Sequence, residues 1–579
     1  MSGHGVYVLG GVADFRPHPV WKRLRRRGPA ALAAAHAAGE LRPLYAEHLL
    51  GRGIEETVAR CRALGVDLRS VRALEVAVSY PRELAGLDEE AVEEHARRTL
   101  AALGLREALA PDLQIRCRPT LAASSAGMVP VNDAVADLLS WAGSAHAKGR
   151  RPGVALVIVA GNAKGTTVGR PRLTVEATNR VFASLISSLD QRLTGASMPR
   201  LAGVTTGMVY RRWPALRRAL RDAVWGQRLA VHERAAQGAL APHVATHPDA
   251  IPDRVVWEPM RLMDVAPQSM GYAGLILGSA PLPPTRGRPH AVRLLGVGAG
   301  VDRVSTRDRA DMFAASAMMS AMDGALHQAR AVDWRRHWIH EAHNAFPAVP
   351  VAELERLLEL RGDGAGLAAA LTAGRVGPAG AELLVDPAGG ALAGHPIAPT
   401  TVRLLLRTAE AMSRGPASNG CAAVGLDDGA PTVGTVSAVG GHHAFDGFFV
   451  LGAGAAEAVG ALESHLAPFD HDALNARVAA DVAVEDARTA APRVGPLRLA
   501  GVSWTAPCGR GERDWFAVGA DTAGRIVPVQ APGWLLRRLS ARMDRPPRLE
   551  VDERLRVQRV DGEPVGAAPA GVPALDLAG

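Results

Sequence analysis

Cysteine is scarce in this chain of 579 residues. Its four cysteines (Cys61, Cys117, Cys421, Cys508) lie far apart, with no pair at metal-ligand spacing and nothing resembling a disulfide framework. A reducing, cytoplasmic setting is expected, with no metal. Aromatic residues make up only 4% of the chain, too few for stacking on nucleic-acid bases, so no nucleic-acid partner is expected. Lysine is confined to Lys22, Lys148 and Lys164. No apolar run approaches the ~18 residues a membrane helix needs, and the longest, Val154 to Ala160, is strand-sized. The N-terminus enters a strand-like Val6-Tyr7-Val8-Leu9 without a basic-then-apolar leader. No membrane partner is expected.

What is present is apolar and basic. Hydrophobic residues make up 48% of the chain, ample for large cores, and its length predicts roughly two to four domains. The net charge of +8 is carried almost wholly by arginine and suits an anionic small molecule as well as a polymer.

One stretch carries a clear chemical signal: Gly389-Gly390-Ala391-Leu392-Ala393-Gly394-His395-Pro396. A strand-like Leu383-Leu384-Val385 precedes it, and an apolar helix from about Thr400 to Met412 follows. Strand, glycine-rich turn and helix make a rigid mount for one imidazole, the side chain best suited to moving a proton near neutral pH. Read without any resemblance, the same stretch is equally well a surface loop with a stray histidine.

This stretch resembles the Gly-Gly-x-x-x-Gly-His-Pro motif of the thiolase superfamily. The resemblance implies that His395 acts as a base and helps hold a thioester oxygen. It also makes Gly389, Gly390 and Gly394 part of the ligand-binding turn. Trp338-Ile339-His340-Glu341-Ala342-His343-Asn344-Ala345-Phe346 resembles the His-Asp-x-Phe motif of sterol-carrier-type thiolases, with Asn344 for the Asp. That implies an oxyanion-donor role for His343. His337, His340 and His343 fall three apart, one residue short of the metalloprotease pattern.

Two departures stand out. Thiolases carry a nucleophilic cysteine in a Cys-Ala-Ser-Gly pattern where a strand meets a helix. Here that junction reads Leu121-Ala122-Ala123-Ser124-Ser125-Ala126-Gly127, between a strand at Leu113 to Cys117 and a helix from Val131 to Ala147. Ser124 or Ser125 occupies the position. Both read first as helix-start residues, with an acyl-accepting serine as the alternative. Cys117 reads as core. The second family cysteine is also missing from Gly440-Gly441-His442-His443. Either His442 or His443 moves protons there, or both are turn residues, and Cys421 falls a little early for the role.

The first half, residues 1–280, is expected to carry a helical loop insertion at about 165–265. Its expected helices include Pro43 to Leu50, Val181 to Leu193 and Trp225 to Leu240. Arg211, Arg212 and Arg217 are candidate phosphate contacts for coenzyme A, or else part of solvated helix faces. Val292 to Gly300 echoes the opening strand and begins a second half, residues 281–455, with a helix expected from Asp308 to Arg330. A β-rich, barrel-like domain follows over 465–562, then a tail at 563–579 read as disordered.

The expected fold is therefore α/β: a duplicated, five-layered αβαβα thiolase-like core with a loop insertion and a C-terminal β domain. The resemblance is closest to the bacterial thiolase-like proteins type 1. It implies coenzyme A or acyl-CoA as ligand, no covalently bound cofactor, and a monomer or homodimer. Two functions stay open: acyl transfer altered by the missing cysteines, or CoA or partner binding without catalysis.

Overall fold

The computed structural model describes residues 5–566 except 17–18, 29, 32–33, 36–37, 39–47, 80–88, 119–123, 144–150, 163–197, 235–245, 304–308, 310–313, 331, 379, 422–428, 488–494, 506–513, 523–525 and 553. The helix expected at Val181 to Leu193 and most of that at Pro43 to Leu50 lie outside the described residues.

The first half contributes five described strands to the main sheet: β1 (Val6–Asp14), β2 (Val71–Ser79), β3 (Gln114–Cys117), β4 (Val154–Asn162) and β5 (Met270–Gly278). They pair in the order β3-β2-β4-β5-β1, with β3, β2 and β4 mutually parallel and β5 antiparallel to both neighbours. The second half has β6 (Ala291–Val301), β7 (His337–Glu341), β8 (Val376–Gly377), β9 (Leu383–Val385), β10 (Thr432–Gly440) and β11 (Phe445–Gly454). Their order, β9-β7-β10-β11-β6, repeats that pattern of directions, with β8 added at the edge. The duplication expected from the echo at Val292 is thus present in the pairing. The halves join through Val6–Leu294 and Tyr7–Arg293 into one sheet of 11 strands.

Alternation along the strands sets the layers. In β4, Leu156 and Ile158 face one core and Ala155, Val157 and Val159 face another. The outer core lies under α2 (Gly51–Ala63) and α3 (Glu89–Ala102), reached after a short basic helix α1 (Pro19–Arg26). The inner core joins both half-sheets to α4 (Met128–Gly143) and to a central helix, Pro399–Arg414. On the far side, Ser316–Gln328 and Val351–Leu360 cover the second half-sheet through Met318, Met322, Leu354 and Leu357. This gives helix, sheet, helix, sheet, helix.

The described part of the insertion is α5 (Met198–Arg212) and α6 (Pro214–Arg234). The second is one continuous helix, where a new helix was expected from Trp225. Gly226 does not break it, because its bare face takes the ring of Pro378. The remaining core helices are α7 (Ser316–Gln328), α8 (Val351–Leu360) and α9 (Pro399–Arg414). α7 starts eight residues later than Asp308 predicts, after Ala315 turns the chain in a left-handed conformation (φ 43°). Helix α9 buries 13 of its 16 residues, begins on Pro399 and ends at Gly415 with φ 86°.

α10 (His471–Ala487) was not expected, because its apolar residues form no clear stripe. Its start is marked by Asp470, which accepts from the Ala473 N–H at 2.9 Å. Beyond it, β12 (Leu497–Thr505), β13 (Asp514–Ala520), β14 (Ile526–Val529), β15 (Arg548–Val551), β16 (Val557–Val560) and β17 (Glu563–Pro564) form an antiparallel sheet ordered β14-β13-β12-β15-β16-β17. Gln530 bridges back to Arg556 and draws β14 towards β16. With α11 (Gly533–Ser540) packed on it through Leu535, Leu536 and Leu539, the sheet curls towards a barrel. The first residues of the expected tail are part of this sheet as β17.

Phe516, Val518 and Ile526 of the barrel pack on Leu201 and Val204 of α5. Glu258 N–H donates to Trp504 O at 2.8 Å and Ser503 Oγ to Glu258 O at 2.6 Å, closing the same seam. The barrel thus supports one face of α5, while Ala202, Thr205 and Val209 on another face line a cavity.

The duplication also positions the site. In each half the third of the five equivalent strands feeds a central helix, α4 after β3 and α9 after β9. The two helix starts meet. A Cβ on Gly127 would lie 2.2 Å from Ala398 O, and Thr401 Oγ1 donates to Ser124 O at 2.8 Å. Gly127→Ala is therefore expected to cost more than about 2 kcal/mol, because a backbone oxygen cannot move aside as a side chain can. Denaturant unfolding of the variant measures it.

Candidate active site

Ser124 opens a short 3-10 turn, Ser124–Gly127, that runs into α4. His395 stands at the same level, between the 3-10 turn Gly390–Ala393 and α9. Ser124 Oγ lies 3.0 Å from His395 Nε2 across 271 residues of sequence. His343 Nε2 lies 3.0 Å from that same nitrogen, its ring edge-on to His395 at a centroid distance of 5.0 Å. Three expected site residues therefore meet at one atom.

Protons can be assigned by accounting. His343 Nδ1 is buried without a hydrogen-bond partner. A buried orphan N–H is rarer and costlier than an orphan lone pair, so the proton belongs on Nε2, which donates towards His395. His395 Nε2 then presents its lone pair to both Ser124 O–H and His343 N–H. Burial, assisted by the Arg403 charge, lowers the His395 pKa to about 4. Burial, then the neighbouring His395, holds His343 well below the usual imidazole range. Both rings are neutral at pH 7. Ser124 and His343 are buried, and His395 is half-buried as a residue.

A buried polar clamp holds this arrangement. Asn344 Oδ1 accepts from the Ala391 and Leu392 N–H groups at 2.6 and 3.3 Å, and its amide donates to Asp386 Oδ2 at 2.7 Å. Asp386 also accepts from the Ala342 N–H at 2.6 Å and from Gln227 at 2.9 Å. Glu341 accepts from the Ala388 and Gly390 N–H groups at 2.7 and 3.2 Å. Arg403 donates to Gly390 O and lies 5.1 Å above the Phe15 ring. Burial raises the pKa of Glu341 and, more strongly, of Asp386. Asp386, Gln227, Glu341 and Arg403 did not emerge from the sequence. Arg403 left no distinct signal there, because Arg407, Glu410 and Arg414 are charged residues of the same helix.

Other candidates are placed elsewhere. Ser125 Oγ donates to Phe445 O at 2.8 Å, away from His395. The N–H groups of Gly389, Gly390 and Gly394 bond within the turn to Asp386 O, Glu341 and Ala391 O. His337 and His340 share Thr435 Oγ1 at 2.9 and 2.8 Å rather than converging with His343. Cys421 Sγ lies 3.3 Å from Ala381 O, at the opposite, N-terminal edge of the parallel strands. Arg211 donates to Ala500 O of the barrel at 2.6 Å. Arg217 is exposed on α6, and Arg212 stacks on Trp213 at 4.8 Å.

Arg212 and Trp213 stand at the edge of a cavity of about 450 Å³ between α5, α6, α8 and the His442–His443 turn. His442 lines it, with Nε2 3.1 Å from Thr205 Oγ1, outside the Ser124–His395–His343 group. The Thr205 hydroxyl donates to Leu201 O at 2.8 Å, so it accepts from His442, whose proton is on Nε2.

The layered, duplicated core, with a serine and two histidines at the meeting of its central helices, defines a thiolase-like fold. No protein-family model matches the chain, and no curated protein matches it. Among solved structures, it is similar to a monomeric SCP2-thiolase-like protein type 1 from Mycobacterium smegmatis, with a TM-score of 0.52 at 13% identity, covering 95% of this chain and 98% of that one. A second similar structure is described as an Ltp2-ChsH2(DUF35) aldolase, with a TM-score of 0.44 at 14% identity, covering 78% of this chain and 98% of that one. Among the described residues no helix is long and apolar enough to cross a membrane, and no side-chain cluster is arranged to hold a metal ion.

Proposed function

We propose that this chain binds acyl thioesters of the acyl-CoA type and transfers the acyl group through Ser124. The observation that carries this reading is the Ser124 Oγ to His395 Nε2 contact of 3.0 Å. A serine needs a base held against it, and neutral His395 is such a base. His343 Nε2–H is the donor nearest the reacting atoms, suited to a thioester oxygen as it gains charge. Ser124 also opens the 3-10 turn that runs into α4, whose N-terminal dipole favours negative charge. The arginines of α5 and α6, Arg212 at the cavity edge above all, are the expected contacts for the ligand's phosphates.

One observation favours a binding role without turnover. Among the described residues no carboxylate contacts His395, and lowering its pKa from 6.5 to about 4 costs about 3 kcal/mol of proton affinity. Acyl transfer by this site is therefore slow beside a thiolate enzyme. The test is consumption of an acyl-CoA thioester by the purified chain, beside the Ser124→Ala variant. Loss that depends on Ser124 supports transfer, and equal traces with retained CoA binding support the second reading.

The pH dependence has a defined sign. A base is active while unprotonated, so acylation should hold from pH 7 down to about 5 and fall through a midpoint near 4. A midpoint near 6.5 in the kcat/KM profile would contradict this environment for His395.

A further inference from the structure

The His343 ring is held by little of its own. Its Nδ1 has no hydrogen-bond partner, so among the described residues the ring bonds only through Nε2, to His395. Its direction therefore comes from the main chain, just beyond the end of β7. There the His343 N–H donates to Ser437 Oγ on β10 at 3.0 Å. Ser437 in turn donates to Glu353 Oε1 on α8 at 3.0 Å. A second chain ends on the same oxygen. His337 Nδ1 is a buried orphan, so the His337 proton belongs on Nε2, 3.1 Å from Ile339 O and 2.9 Å from Thr435 Oγ1. Thr435 then gives its proton to His340 Nδ1 at 2.8 Å, and His340 donates through Nε2 to Glu353 Oε1 at 3.3 Å. Glu353 Oε2 has no partner, so both chains close on Oε1. All five side chains are buried, at a cost that apolar residues of similar size would avoid.

We propose that Glu353 and Ser437 are positioning residues for His343: through its N–H they fix the main chain beyond β7 and so aim Nε2–H at the thioester oxygen. Neither touches the ring in any described contact, and Glu353 acts through Ser437. A serine hydroxyl has one proton and can turn. With Oε1 as its acceptor, that proton points to Glu353 and a lone pair is left for the His343 N–H. The residues on either side are anchored by other groups. Ala342 N–H donates to Asp386, and Asn344 accepts from Ala391 and Leu392 N–H. Ser437 holds the residue between them, the one whose ring must be aimed. A misplacement of about 1 Å costs on the order of 10²-fold in rate, so the anchor acts on turnover without touching the ligand. The catalytic consequence rests on the acyl-transfer reading, whereas the hydrogen-bond chain does not.

The test uses the full chain and octanoyl-CoA, with rates taken per folded molecule. Ser437→Ala should lower kcat about 10- to 100-fold with KM within about twofold, because neither Ser437 nor His343 lines the cavity. A kcat within about threefold of the wild type, or a loss confined to KM, would overturn the proposal. If Ser437→Ala does not fold, two changes at Glu353 carry the comparison. The amide oxygen of Glu353→Gln still accepts from Ser437, so this variant should stay within about fivefold of the wild type while Glu353→Ala falls about 10- to 100-fold. Equal rates for the two would overturn the proposal. Nitrogen NMR of histidine-labelled protein, with His343 assigned by its loss in His343→Gln, needs no turnover. The wild-type ring should show the Nε2–H tautomer, and Ser437→Ala should bring its two nitrogen shifts closer together as tautomers mix. If the wild type consumes no thioester, the acyl-transfer reading fails and this spectrum decides the positioning. Shifts unmoved by Ser437→Ala would overturn it.

Discussion

His395→Ala is expected to reduce Ser124-dependent thioester loss by about 10²- to 10⁴-fold, the range that removal of a general base produces. The expectation rests on one nitrogen, since His395 Nε2 lies 3.0 Å from both Ser124 Oγ and His343 Nε2. Without that ring, Ser124 keeps no base among its described contacts, and His343 loses the acceptor that fixes its proton on Nε2. CoA affinity should change little, because His395 does not line the cavity at whose edge Arg212 stands. Stopped assays of thioester loss, beside calorimetric CoA binding, separate the two quantities. Equal loss of binding and turnover would mean that His395 holds the ligand rather than moving a proton.

Arg403→Ala should produce the largest loss of stability, about 3–5 kcal/mol, the cost of leaving buried charge without its partner. Arg403 is buried in α9, donates to Gly390 O, and acts electrostatically on both Glu341 and Asp386. Truncation leaves that oxygen without this donor and empties the space above Phe15. The same change removes a positive charge that disfavours protonated His395, so the acid midpoint of any remaining activity should rise above 4. Urea unfolding measures the first effect and the pH profile the second. A change below about 1 kcal/mol would show that the two carboxyl groups are held neutral without Arg403.

The strand, glycine turn and helix around His395 were legible because all three are contiguous and each has a local signature. The position of the lost cysteine was legible as a helix start, but Ser124 and Ser125 were not separable. The structure separates them because consecutive residues at a helix start point in different directions, one to His395 and the other to Phe445 O. Asp386 and Gln227 stayed hidden because they meet across 159 residues with no local pattern to join them. The continuous α6 was missed because a new helix was expected from Trp225, and Pro378, which packs against Gly226, lies far along the chain.

The most direct test of the central claim is the mass of the intact chain after brief mixing with octanoyl-CoA, followed by peptide mapping. The structure predicts one octanoyl group on the wild type, mapped to Ser124, and none on Ser124→Ala. An unmodified wild type that binds CoA, or an acyl group mapped to any other residue, would contradict acyl transfer through Ser124.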